Sequence, residues 1–162
     1  RKNVARSKGS RNQTQVNLDN PQDRMIGLTV FVAVMVVAFL LRVIIGGVYH
    51  GHEQDMSCFI AWADMVYNDG FHKFYTTMTE GYPPGYIYIL YVIGWLRHIF
   101  SIPWNSAMSD ILTKMPNILT DLGMGYLIYK VASEKFRETG AALLSAVYLF
   151  CPAIILDSVV WG

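Results

Sequence analysis

Cysteine is scarce, charge is thin, and the common cofactor signatures are missing. Only Cys58 and Cys151 occur, in dissimilar surroundings, so no disulfide framework is expected and both thiols are read as free. There is no CxxC and no HExxH, which removes the ligand spacings of a structural zinc site. No metal site and no cofactor are expected, although a need for a divalent ion stays open. Glycine-rich phosphate loops are absent too, which removes the usual backbone cradle for a nucleotide phosphate. A formal net charge of +1, with no long basic stripe outside the N-terminal tail, argues against a nucleic-acid partner.

What the chain has is apolar sequence in blocks. Hydrophobic residues make up 53% of it, above the roughly 45–50% of soluble domains. The stretch from Ile26 to Tyr49 contains no Asp or Glu, and its one charge is Arg42 near the far end. About 20 such residues cross a bilayer. Before it, residues 1–24 carry Arg1, Lys2, Arg6, Lys8 and Arg11 among small polar residues. That composition predicts a disordered tail, and its basic charge places it on the cytoplasmic side. The apolar stretch is too long for a signal peptide. The chain starts at Arg and stops at Trp161-Gly162, which we read as a piece of a longer polypeptide.

The expected fold is an all-α membrane protein with three transmembrane helices and amphipathic juxtamembrane helices in the first outer loop. The crossings are placed at 26–49, 107–131 and 140–157, with the outer loop at 50–105, all within a module running from 25 to 162. In the loop, Phe59, Trp62 and Val66 recur at helical spacing from Asp55 to Asp69, an interfacial amphipathic helix ended by Asp69-Gly70. A polar connector from Phe71 to Gly81 follows. Residues 86–100 are aromatic-rich and short for a crossing. Laying them on the surface leaves Lys130, Lys135 and Arg137 inside, as the charge rule prefers, with Arg97 outward near headgroups. In the second crossing Asp110, Lys114, Asn117 and Asp121 fall at i, i+4, i+7 and i+11 on one helical face, which turns inward to protein or a water cavity.

The sequence of motifs is similar to that of the GT-C superfamily of polytopic glycosyltransferases, and more narrowly to bacterial relatives of the GPI-anchor second mannosyltransferase. The resemblance is carried by Asp55 in the first outer loop, Phe59-x-x-Trp62-Ala63, Asp69-Gly70, Phe74-Tyr75, Tyr82-Pro83-Pro84-Gly85-Tyr86, Lys114 with Asp121 seven residues on, and Cys151-Pro152 leading into Trp161-Gly162. It spans most of the chain from Arg42 onward. In the family the last motif continues to Gln-x-Asp, which lies past the end of this sequence. The resemblance implies transfer of a sugar, mannose foremost, from a polyprenyl-phosphate donor to an acceptor glycan, lipid or protein on the outer or lumenal face. A bacterial plasma membrane is preferred over the endoplasmic reticulum as its setting.

Asp55 is the expected catalytic base, since an acceptor hydroxyl needs a proton acceptor within hydrogen-bond reach as it attacks. Glu53, two residues away, is the alternative carboxylate, and Asp55 could instead cap the helix that follows. The donor phosphate needs cations or donors, and Arg42, Lys114, His52, His72, Lys73, Arg97 and His98 are the candidates. Arg42 has snorkelling as its structural alternative; Lys114 has internal pairing with Asp110 or Asp121. Trp62, Tyr82 and Tyr86 are expected to border the sugar pocket. Two rival readings remain. In a transporter or flippase the polar stripe of the second crossing lines a pathway, and in a membrane scaffold neither the stripe nor Asp55 carries chemistry.

Overall fold

A computed structural model describes residues 21–78 and 83–161. The protein is all-helical, with no strand among these residues. Helix α1 spans Pro21–Val48, α2 Glu53–Thr77, α3 Pro84–Ile99, α4 Ala107–Ser133, α5 Glu138–Leu149 and α6 Pro152–Ile155, the last passing directly into a π-helical turn, Leu156–Trp161.

Helices α1, α4 and α5 pack as a three-helix bundle, and α2 and α3 form a hairpin that leans on α4. The two ends of the bundle are distinct. At one end Arg137 Nη2 lies 2.9 Å from Asp23 Oδ2, which joins the α4–α5 loop to the start of α1. At the other, the backbone N–H of His52 donates to the Trp161 carbonyl at 2.9 Å, which joins the exit of α1 to the end of the π turn.

Helix α1 is the one helix among the described residues long and apolar enough to cross a membrane by itself. Its burial pattern is inverted relative to a soluble core helix: Gly27, Phe31, Ala38, Arg42 and Gly46 point inward, while Leu28, Val32, Val36, Leu40 and Ile44 are exposed. Only 17% of its apolar window is buried. Small residues at helix contacts and apolar side chains outward suit packing in lipid. A Cβ at Gly27 would sit 2.3 Å from the Glu138 Cβ, so glycine lets α1 approach the start of α5. Deeper in the bundle, Phe31 stacks on Tyr129 with ring centroids 3.9 Å apart.

The third expected crossing is not one clean helix over 140–157. It breaks between Leu149 and Pro152, and the two pieces together pass for a span bent by 50°. Pro152 has no N–H and its ring crowds the carbonyl four residues back. It also forces Cys151 into an extended conformation, φ −63°, ψ 121°. Helix α4 covers its expected region and continues to Ser133, but with Asp110, Lys114 and Asp121 inside it it is not apolar enough to stand as a span on composition.

In the loop, the helix that should end at Asp69-Gly70 resumes. Gly70 alone leaves helical geometry, at φ 84°, ψ 168°, a left-handed value that glycine adopts without a Cβ penalty. The chain then redirects into residues 71–77, because Phe74 is 1% exposed in a core formed with Ala63, Val66, Ile87, Leu90 and Ile93. The expected polar connector is therefore helical as far as Thr77. Hairpin packing is tightest at Gly94, where a Cβ would lie 2.3 Å from the Ala63 carbonyl oxygen. Helix α3 ends in a Schellman motif: Ser101 N–H donates to His98 O and Ile102 N–H to Arg97 O. Ser101 takes the left-handed position, φ 49°, that glycine commonly fills.

Candidate functional site

The best-formed polar constellation lies at the exit of α1. Gly51 is at φ +92°, and a Cβ there would meet the Trp161 carbonyl oxygen at 2.8 Å, so both conformation and space call for glycine. The turn it makes sets the His52 ring parallel to the Trp161 indole, centroids 5.6 Å apart and planes 14° off. His52 Nδ1 lies 3.2 Å from Asp55 Oδ2, with both side chains about half exposed. Asp55 and Glu53 occupy the first turn of α2, where negative charge is favoured by the helix dipole. Glu53 is exposed.

This linker is held from below by α4. Lys114 is 1% exposed, and its Nζ donates to Gly46 O, to Tyr49 O and, at 2.9 Å, to Val159 O. It thus binds two carbonyls at the exit of α1 and one of the π turn with one ammonium, the sign that a helix C-terminus prefers. The hydrogen bonds of Lys114 go to backbone oxygens, and Asp110 is the carboxylate that acts on its charge. Asp110 goes to His50, whose Nδ1 approaches Oδ1 at 2.8 Å, a close approach without hydrogen-bond alignment. A π turn is an uncommon element that recurs at functional sites.

Arg42 does not snorkel. It is fully buried, with Nε 3.1 Å from Asp121 Oδ2, Nη2 donating to Leu149 O at 2.9 Å and Nη1 to Ala38 O at 3.4 Å. Leu149 closes α5 just before the proline break, so the guanidinium satisfies a carbonyl at the interruption and ties α1, α4 and α5 together. Of the polar stripe, Asp110 and Lys114 are buried, Asp121 is half-buried and Asn117 is exposed.

Trp62 and Tyr86 belong to an aromatic cluster between α2 and α3. Phe59 meets Trp62 edge-on at 5.7 Å and Tyr86 at 5.6 Å, and Trp62 meets Phe74 at 6.2 Å. Asp55, Phe59 and Trp62 fall at i, i+4 and i+7, so the cluster begins one turn below the carboxylate on the same face of α2. Tyr82 lies outside the described residues. Arg97, expected outward near headgroups, pairs with Asp64 instead: Nη1 is 2.6 Å from Oδ1, and the arginine side chain is 5% exposed. Cys58 and Cys151 are free thiols. Among the described residues no three His, Cys, Asp or Glu side chains converge as a metal site.

The structure therefore brings Asp55 together with His52 and Trp161, and Arg42 together with Asp121, in two separate groups. The chain matches no protein-family model, no curated protein and no solved structure. Sequence reasoning named His52 and Trp161 singly and missed their stacking. The signal for it was Gly51 between two histidines, a left-handed turn with ring systems on either side. Chemically, a half-exposed carboxylate at 3.2 Å from an imidazole, beside an exposed indole, can accept a proton and offer a flat apolar platform.

Proposed function

We propose that this protein is a membrane glycosyltransferase that moves a sugar, mannose foremost, from a polyprenyl-phosphate donor to an acceptor hydroxyl, with Asp55 as general base. The observation that carries the reading is the setting of Asp55. It follows directly on the apolar helix α1, is about half exposed, and lies 3.2 Å from a histidine stacked on Trp161. In the reaction the acceptor oxygen bonds to the anomeric carbon as its proton passes to the Asp55 carboxylate. The bond from that carbon to the phosphate oxygen breaks, and the electron pair leaves with the lipid phosphate. A single displacement of this kind inverts the anomeric centre. The phosphate is already a good leaving group, so no strong general acid is required.

The membrane arrangement belongs to the same proposal. Helices α1 and α4 and the bent α5–α6 segment make three crossings, in a bacterial plasma membrane. The Arg137–Asp23 pair supports it by gathering the α4–α5 loop and the start of α1 at one end, so that Lys130, Lys135, Arg137 and the basic tail share the cytoplasmic side. The His52–Trp161 end then faces outward. Buried polar groups within such spans are expected to find partners, as Arg42, Asp121 and Lys114 do. Their engagement weighs against the transporter reading, in which the stripe would face an open pathway. Arg42 and Lys114 are spent on internal partners, so the donor phosphate falls to cations nearer Asp55, His52 first.

The test is transfer of labelled mannose from polyprenyl-phosphate mannose by the intact polypeptide in liposomes. Asp55→Asn should lower kcat by about 10²–10⁴, the usual contribution of a general base, with donor binding retained. Undiminished turnover in that variant, or no transfer by the wild type, overturns the proposal.

A further inference from the structure

Next to the α2–α3 hairpin, on the far side of α2 from Asp55, two cavities share a wall. The first, about 200 Å³, is polar and is lined by Asp64, Arg97, His98, Ser101 and Ile102. The second, about 540 Å³, is apolar and is lined by Leu96, Phe100, Met108 and Leu112, again with Ser101 and Ile102. Its size is in the range of small-molecule pockets. Asp55 and Asp64 are nine residues apart on a straight part of α2, hence about 13 Å along its axis and half a turn around it. The cavity pair is therefore separate from the exit of α1.

Arg97, which lines the polar cavity, carries an unsatisfied donor. Arg97 is 95% buried, and only its Nη1 reaches Asp64; its Nε has no acceptor. Its guanidinium carbon sits 5.3 Å from the Trp104 ring centroid, which fixes the side chain at the rim. His98, stacked on Tyr67 at 4.4 Å, adds a second nitrogen donor 3.9 Å from the same carboxylate and is 43% exposed. One carboxylate thus faces two basic side chains, and the spare capacity is for an acceptor. A phosphate, which offers only acceptor oxygens and a negative charge, suits that deficit. Ser101 and Ile102 line both cavities, so the polar one directly adjoins the apolar one.

From this adjacency of a polar and an apolar cavity we infer that the α2–α3 hairpin carries a phospholipid site: the phosphate takes Arg97 and His98, and one hydrocarbon chain lies in the groove between α3 and α4. The site stands apart from the sugar-transfer reading, and failure of either leaves the other in place.

The experiment is native mass spectrometry of the full chain, purified in detergent, stripped of lipid and titrated with palmitoyl-oleoyl phosphatidylglycerol. One lipid should bind ahead of all others. His98→Glu reverses the outer charge at an exposed position, and Met108→Trp fills the groove; each should weaken that first binding by about tenfold or more, a loss of one good contact. Palmitoyl-oleoyl glycerol, which lacks the phosphate, and inorganic phosphate, which lacks the chains, should bind more weakly by a similar factor. Arg97→Gln should abolish first-lipid binding where circular dichroism shows it folded; where it does not fold, the other two variants decide. First-lipid affinity unchanged in both His98→Glu and Met108→Trp overturns the site. So does phosphate-free glyceride, or phosphate by itself, binding as tightly as the phospholipid.

Discussion

Breaking the Arg42–Asp121 pair should unfold the bundle more than any other single polar change. Arg42 is fully buried, its Nε 3.1 Å from Asp121, which is only 13% exposed, and its Nη2 carries the Leu149 carbonyl. Asp121→Ala leaves a guanidinium without its counter-ion in a low-dielectric interior. Removing one partner of such a pair costs about 3–5 kcal/mol. Arg42→Met takes away the charge instead but strands Asp121 and the Leu149 carbonyl; an unsatisfied buried acceptor costs about 1–3 kcal/mol, so the total again reaches several kcal/mol. The double variant Arg42→Met/Asp121→Leu removes both charges and retains only the orphaned carbonyl, so it should lose no more than about 1–3 kcal/mol. The double variant is thus more stable than Asp121→Ala. Reversible unfolding in detergent micelles, followed by circular dichroism on the three variants and the wild type, measures this. Losses under about 0.5 kcal/mol for both single variants, the range of ordinary surface changes, would falsify the assignment of this pair as the clamp on the bent helix.

Two glycines of α3 and α4 make a matched test of packing. Gly94→Ala drives a Cβ to 2.3 Å from the Ala63 carbonyl and should destabilise the hairpin by about 1–3 kcal/mol. Gly123→Ala meets nothing within 4 Å and should stabilise α4 by about 0.5–1 kcal/mol; equal thermal shifts would contradict the α2–α3 contact. Lys114→Met keeps the side-chain length but leaves three carbonyls without their donor. It should cost about 1–3 kcal/mol and raise the rate of proteolytic cleavage at residues 49–52, which unchanged cleavage would exclude.

The elements that follow from local chemistry were readable in the sequence; those that follow from meeting another element were not. The apolar stretch after the tail gives α1, and Pro84 at a helix start and Gly70 as an interruption fit ordinary backbone preferences. In the sequence Gly70 looks like an end, because nothing in residues 71–77 announces a second helix. Only Phe74 reaching the α3 core makes one. The helix break after Leu149 is marked in the sequence by Cys151-Pro152, but the hydrophobic pattern continues across it and hides it. At the site, the position of Asp55 came from its spacing after α1. The long-range partners of Arg42, Lys114, Asp64 and Arg97 did not, because they lie on other segments of the chain, between 33 and 107 residues away. A charged side chain in an apolar stretch signals that a partner exists, not which one it is.

The proposal stands on where the exit of α1 lies relative to the membrane. Asp55→Cys, in a background with Cys58→Ser and Cys151→Ser, can be probed in intact cells with a membrane-impermeant maleimide, beside Lys135→Cys in the same background. The account expects position 55 to label from outside and position 135 to label only after the membrane is opened. Labelling of position 55 only in opened cells would put the carboxylate in the cytoplasm, away from any outward-facing lipid-linked sugar.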